Sequence, residues 1–171
     1  MLRNFAATPC QRGARHARAV KLQALWPAYQ SCWFHPKQRA QFSCGAIISV
    51  WVPFGEPEPF HKARKRGVLR LTKLRRRHRF TLLYGGDRQM DYRELSAMID
   101  CQFSEALQIA KAWQQLAFYW CERRNWYLVE TSSADLARLL GRWRAQRHHG
   151  KLPSHNFAML GNLSQVKWCL D

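Results

Sequence analysis

Hydrophobic residues recur at helical spacing in three parts of the chain. In MDYRELSAMIDC (90–101), Tyr92, Leu95, Met98 and Ile99 share one helical face. Asp91 and Glu94 fit a D-x-x-E capping box, and Met90 and Leu95 occupy the two positions of a hydrophobic staple. This pattern predicts a helix over 91–101. A second helix is predicted from Ser104, as N-cap, to about Arg123. Glu105 sits in its first turn, and Ala106, Leu107, Ala110, Trp113, Leu116, Ala117 and Trp120 carry its apolar stripe. A third begins at TSSAD, capped by Ser132 or Ser133, with Leu136, Leu139, Leu140 and Trp143 on one face; Gly150 and Pro153 stop it. Strand-like runs are short: IISVWVPF (47–54), FTLLY (80–84) and NWYLVE (125–130). Gly85, Gly86 and Asp87 read as a turn, and GEPEP (55–59) as a linker. The fold class these elements predict is mainly α with a few short strands, a small helical core with basic extensions.

Charge changes the picture most. Lys and Arg number 28 against 11 Asp and Glu, a formal net charge of +17 with pI near 10.5. Such a balance predicts a polyanionic partner, because each cation that neutralises a phosphate releases a counterion. The charge lies in blocks. Residues 1–55 contain no acid, residues 62–79 hold ten Lys/Arg and no acid, and residues 138–151 hold five Lys/Arg and no acid. Three segments follow: an acid-free basic segment 1–55, a helical RNA-binding core 56–153, and a C-terminal extension 154–171.

The first basic block supplies Lys62, Arg64, Lys65, Arg66, Arg70, Lys73, Arg75, Arg76, Arg77 and Arg79. Arginine offers a planar fork to phosphate, and lysine a point charge. Val68, Leu69, Leu71 and Leu74 form a thin apolar stripe between them, which predicts a segment docked on the body with its cations outward. The alternative, a solvated charged face, leaves ten like charges without an anion to offset them. Arg138, Arg142, Arg144 and Arg147 lie mostly off the apolar stripe of the third predicted helix and are the second candidate set. The eight tryptophans suggest base stacking, but Trp113, Trp120 and Trp143 fall on apolar faces and read as core.

Other chemistry is sparse. No P-loop, G-x-S-x-G or HExxH motif is present, so no catalysis is expected. No apolar run reaches 18 residues, so no membrane span is expected. The six cysteines form no CxxC pair and no secretory h-region precedes them, which suits free thiols in a reducing compartment. A zinc site would have to draw on Cys32, His35 and Cys44 with Cys101, Cys121 or Cys169. That spacing is not a standard zinc pattern, and no cofactor is expected. The first 26 residues are basic, acid-free and partly amphipathic, which matches a mitochondrial presequence; a basic RNA-binding arm is the alternative.

Two stretches resemble the bacterial-type small-subunit ribosomal protein S-eighteen family. They are RRRHRFTLLYGGDRQMDYRELSAMIDCQFSEALQI (75–109) and LARLLGRWRAQRHHGKLP (136–153). The resemblance implies a small, mainly helical ribosomal-protein core, in a divergent mitochondrial form acting in the matrix. It implies contacts with ribosomal RNA and with a neighbouring protein of the S-six family. The matching positions Arg75, Arg76, Arg77, Arg79, Arg138, Arg142 and Arg144 would carry the RNA contacts. The chain departs from that family in lacking its R-x-T-G segment, where a Trp-rich stretch stands at about 110–130. Two other readings compete. One is a winged helix-turn-helix that binds DNA through helices 91–101 and 104–122. The other is an assembly subunit of a mitochondrial complex that touches no RNA.

Overall fold

Alternation with period two, not the helical period, organises the middle of this chain. The computed structural model describes residues 9–36, 44–51, 59–123, 125–132, 137–142, 150 and 152. Seven antiparallel strands form one sheet, curled into a half-barrel. In spatial order they are β1 (Trp33–Pro36), β3 (Phe80–Gly86), β4 (Arg93–Ile99), β2 (Cys44–Ser49), β5 (Ala117–Glu122), β6 (Asn125–Glu130) and β7 (Ala137–Arg142). Three helices accompany it: α1 (Pro9–Gln30), α2 (Phe60–Arg75) and α3 (Phe103–Ala112).

Successive side chains of a strand point to opposite faces, and the sheet is buried on both. One face is built from Ala46, Ile48, Leu95, Ala97, Ile99, Phe118 and Trp120, and packs against Leu71 and Leu74 of α2 and Ala106 and Ala110 of α3. The other is built from Phe34, Ile47, Met98, Tyr119, Trp126 and Leu128, and receives Leu22, Leu25, Trp26 and Tyr29 of α1. Trp51, Trp126, Phe34 and Phe118 are almost wholly buried; each such side chain contributes about 1.5–3 kcal/mol by leaving water. The last turns of α1 are thus part of the core.

The mainly α expectation is overturned by this sheet. The predicted helix 91–101 is strand β4. Its residues are buried from Leu95 through Ile99, and in a strand covered on both faces the apolar residues on each side satisfy the helical spacing as well as the alternation. Asp91 and Glu94 form no capping box. The local cap is instead Asp87, whose carboxylate oxygens accept from the backbone N–H groups of Asp91 and Tyr92, each at 3.0 Å. This closes the β3–β4 hairpin, which needs glycine at 86: a Cβ there would stand 2.0 Å from the Tyr92 carbonyl oxygen. Gly85 and Gly86 therefore belong to β3 and not to the turn.

The predicted helix 104–123 is divided. Helix α3 ends at Ala112, and the chain returns as β5. Gln114 adopts a left-handed φ of 57°. Its N–H bonds Lys111 O at 3.0 Å, and that of Gln115 bonds Ala110 O at 2.9 Å. These two bonds make a Schellman stop. The true capping partner of α3 is Glu105, whose Oε2 accepts from the Gln102 backbone N–H at 2.9 Å. The third predicted helix is replaced over 137–142 by β7, which pairs with β6; residues 133–136 and 143–149 lie outside the described residues. The strand at 125–130 stands as expected, 80–84 falls within β3, and the run read as 47–54 begins earlier, as β2.

Candidate functional site

Helix α2 carries the first basic block as far as Arg75, and Arg76, Arg77 and Arg79 follow it in the turn toward β3. Its buried side is Ala63, Gly67, Arg70, Leu71 and Leu74, a helical stripe at spacings of three and four. Gly67 lets the helix press on Trp51: a Cβ at that position would lie 3.0 Å from Trp51 Nε1. The remaining surface is cationic. Lys62, Arg64, Lys65, Lys73, Arg75, Arg76, Arg77 and Arg79 are all exposed. Lys73 and Arg75 stand in the last turn, where the helix dipole favours positive charge. Helix α2 contains no acidic residue. Two members of the expected apolar stripe, Val68 and Leu69, are exposed among these cations, 43% and 55% respectively.

Two arginines of the block face inward. Arg66 is half-buried and donates to the Trp51 carbonyl at 3.5 Å. Arg70 is 8% exposed and donates to the carbonyls of Val50 at 2.7 Å and Trp113 at 2.6 Å. It pins α2 to the ends of β2 and α3. The second block is not brought to the first. Arg138 is exposed on edge strand β7, beside Gln30 of α1, the helix that covers the opposite face. The side chain of Arg142, and Arg144 and Arg147 entirely, lie outside the described residues.

A cavity of about 340 Å³ opens between α1 and the sheet. Alternation along β4 builds its floor. Leu95, Ala97 and Ile99 point into the core beneath α2 and α3, so Glu94 and Ser96 point the other way, to the cavity. Glu94 accepts from the Ser49 hydroxyl at 3.0 Å and from the Tyr92 hydroxyl. Burial raises its pKa above the usual carboxylate range, and the two hydroxyl hydrogen bonds oppose that rise only in part. Burial, followed by the Glu94 charge, raises Tyr92 as well. Tyr119 donates to the Tyr29 carbonyl at 2.8 Å and stands edge-on to Phe34, with ring centres 5.0 Å apart. The Cys32 thiol in the same wall is pushed up to about 12, chiefly by burial. It is a neutral group at physiological pH and a poor nucleophile.

Cys32 and His35 of the zinc reading are not brought to Cys44. Cys32 and His35 belong to the β1 edge, where His35 pairs with Tyr84, while Cys44 lies on β2. Three strand spacings of about 4.8 Å separate β1 from β2, far beyond two ligand bonds to one metal. Among the described residues no three His, Cys, Asp or Glu side chains cluster in reach of one ion; Cys169 lies outside them. Among the described residues no helix is long and apolar enough to cross a membrane.

Sequence reasoning missed the Glu94 cavity because it assigned Glu94 to a helix cap. One signal was present. Glu94, Ser96 and Met98 alternate with Leu95, Ala97 and Ile99, a period of two that overlays the helical one. The chain matches no protein-family model, and neither the curated proteins nor the solved structures hold a match to it.

Proposed function

We propose that this protein binds the phosphate backbone of RNA through the exposed face of α2 and the loop that follows it. One observation carries the reading: eight exposed cations from Lys62 to Arg79, on a segment with no acid and held rigidly by a buried stripe. Contacts of these cations with phosphates carry no base code, so the binding is sequence-tolerant. Val68 and Leu69 beside them offer apolar contact to unstacked bases.

The narrower expectation is an rRNA-binding component of the mitochondrial small ribosomal subunit. Its family likeness includes a helix start at 91 where this chain has a strand, so the basic entry 75–79 is the part that supports it. Sedimentation of tagged protein with the small subunit, abolished by RNase, would favour it; a fluorescent fusion of the full chain tests the mitochondrial address. The helix-turn-helix reading loses its first helix to β4.

The deciding experiment is anisotropy titration of a labelled 20-nucleotide RNA at several salt concentrations. Replacing Arg75, Arg76, Arg77 and Arg79 with Gln should weaken binding for every sequence. It should also lower the salt slope by roughly 3, at about 0.7 per lost phosphate contact on single strands. Circular dichroism should not change. Equal affinity and slope in the natural and quadruple-variant proteins would overturn the proposal.

A further inference from the structure

The cavity under α1 is separate from the basic face and has a chemistry of its own. Its size suits a small organic molecule. Glu94 has two carboxylate oxygens, and each accepts one hydroxyl hydrogen bond, from Ser49 and from Tyr92. A carboxylate accepts about four, so both oxygens keep lone pairs for a further donor. Among the described residues no Lys or Arg pairs with this carboxylate. Lys21 also lines the cavity. A partly buried acid without a cation is a costly group, and it invites a cationic partner from outside. The walls agree: the aromatic residues Tyr29, Phe34 and Tyr119 line the cavity, and aromatic faces attract ammonium and guanidinium groups.

We propose that this cavity is a binding site for a small organic cation, an amine or guanidine with an apolar body, whose N–H groups donate to Glu94 while its body lies among Tyr29, Phe34 and Tyr119. Ser49 and Tyr92 orient the carboxylate and leave its free lone pairs toward the ligand. Helix α1 forms the opposite wall through Leu25 and Ala28, so occupancy should also steady that helix against the sheet.

The probe is 2-phenylethylammonium, with 2-phenylethanol as its neutral counterpart of similar shape. Both are titrated into the full chain by isothermal calorimetry and by protein-observed NMR. The ammonium should bind saturably and shift resonances of β4 and α1. The alcohol should bind on the order of ten- to a hundredfold more weakly, the usual worth of one charge-assisted hydrogen bond. Glu94→Gln keeps the shape and an acceptor oxygen, and should bring the two probes to equal affinity. Ala28→Phe, at an exposed position of the α1 wall, leaves Glu94 intact and should abolish binding of both. Equal affinity for both probes in the natural chain would overturn the proposal, as would unchanged ammonium binding in Glu94→Gln or no binding at millimolar concentration. RNA binding by α2 is unaffected in each variant, so this site and the basic face stand or fall separately.

Discussion

Arg70 of α2 donates to the carbonyl of Trp113 at 2.6 Å while its guanidinium carbon lies 5.3 Å from the centre of that residue's ring. One side chain thus engages both the backbone and the π-face of the residue that ends α3. It also holds Val50 O at 2.7 Å. Arg70→Met keeps the apolar stem but leaves two buried carbonyls without their charged donor. Each such bond is worth about 1.5–3 kcal/mol, so the variant should lose roughly 3–6 kcal/mol of stability by urea denaturation. Arg70→Lys should recover only part of it, since an ammonium lacks the fork that reaches both carbonyls. A variant as stable as the natural chain would show that α2 is held by its apolar stripe alone.

The stop of α3 at Gln114 makes a different forecast. A non-glycine residue in the left-handed region costs about 1–2 kcal/mol, and glycine removes that cost while losing some chain entropy. Gln114 is exposed, so little packing is at stake. Gln114→Gly should therefore stabilise the protein by about 0.5–1 kcal/mol, seen as a higher melting temperature with unchanged RNA affinity.

Burial raises the pKa of Glu94 in the folded chain, while in the unfolded chain it titrates near 4.3. Between those values the folded state binds the additional proton. Stability therefore falls as pH rises from the ordinary glutamate range through the raised folded value, and this contribution is flat above it. Tyr29, Tyr92, Tyr119 and Cys32 around the cavity are themselves shifted upward and stay neutral over that range. Glu94→Gln removes the dependence. Melting curves should show it more stable than the natural chain at pH 7, with the gap closing near pH 4. A gap that is constant with pH would mean that Glu94 titrates alike in both states.

What the sequence made legible follows from how evenly each segment is buried. NWYLVE reads as a strand and is one, because Trp126 and Leu128 are buried deeply while Asn125 and Tyr127 are only half covered. The basic face of α2 is legible because charge blocks need no partner strand to be seen. β4 is not, since a strand covered on both faces satisfies helical and strand periods alike. The start of α3 was found within two residues, but its end carries no glycine, and the apolar residues of β5 extend its stripe without a break. β7 lies at the sheet edge, where Leu139 is 57% exposed and the leucines mimic a helix face. Glu94 has meaning only once β2 is laid beside β4, a contact 45 residues apart in sequence.

Glu94 and Leu95 are neighbours in the chain but face opposite compartments. Leu95 helps support the basic helix, and Glu94 forms part of the cavity under α1. A single layer of strands is therefore a partition between the basic face and the cavity, the two proposed binding surfaces. Two occupants can sit on the protein at once without touching each other. If both proposals hold, the chain works as a two-sided adaptor.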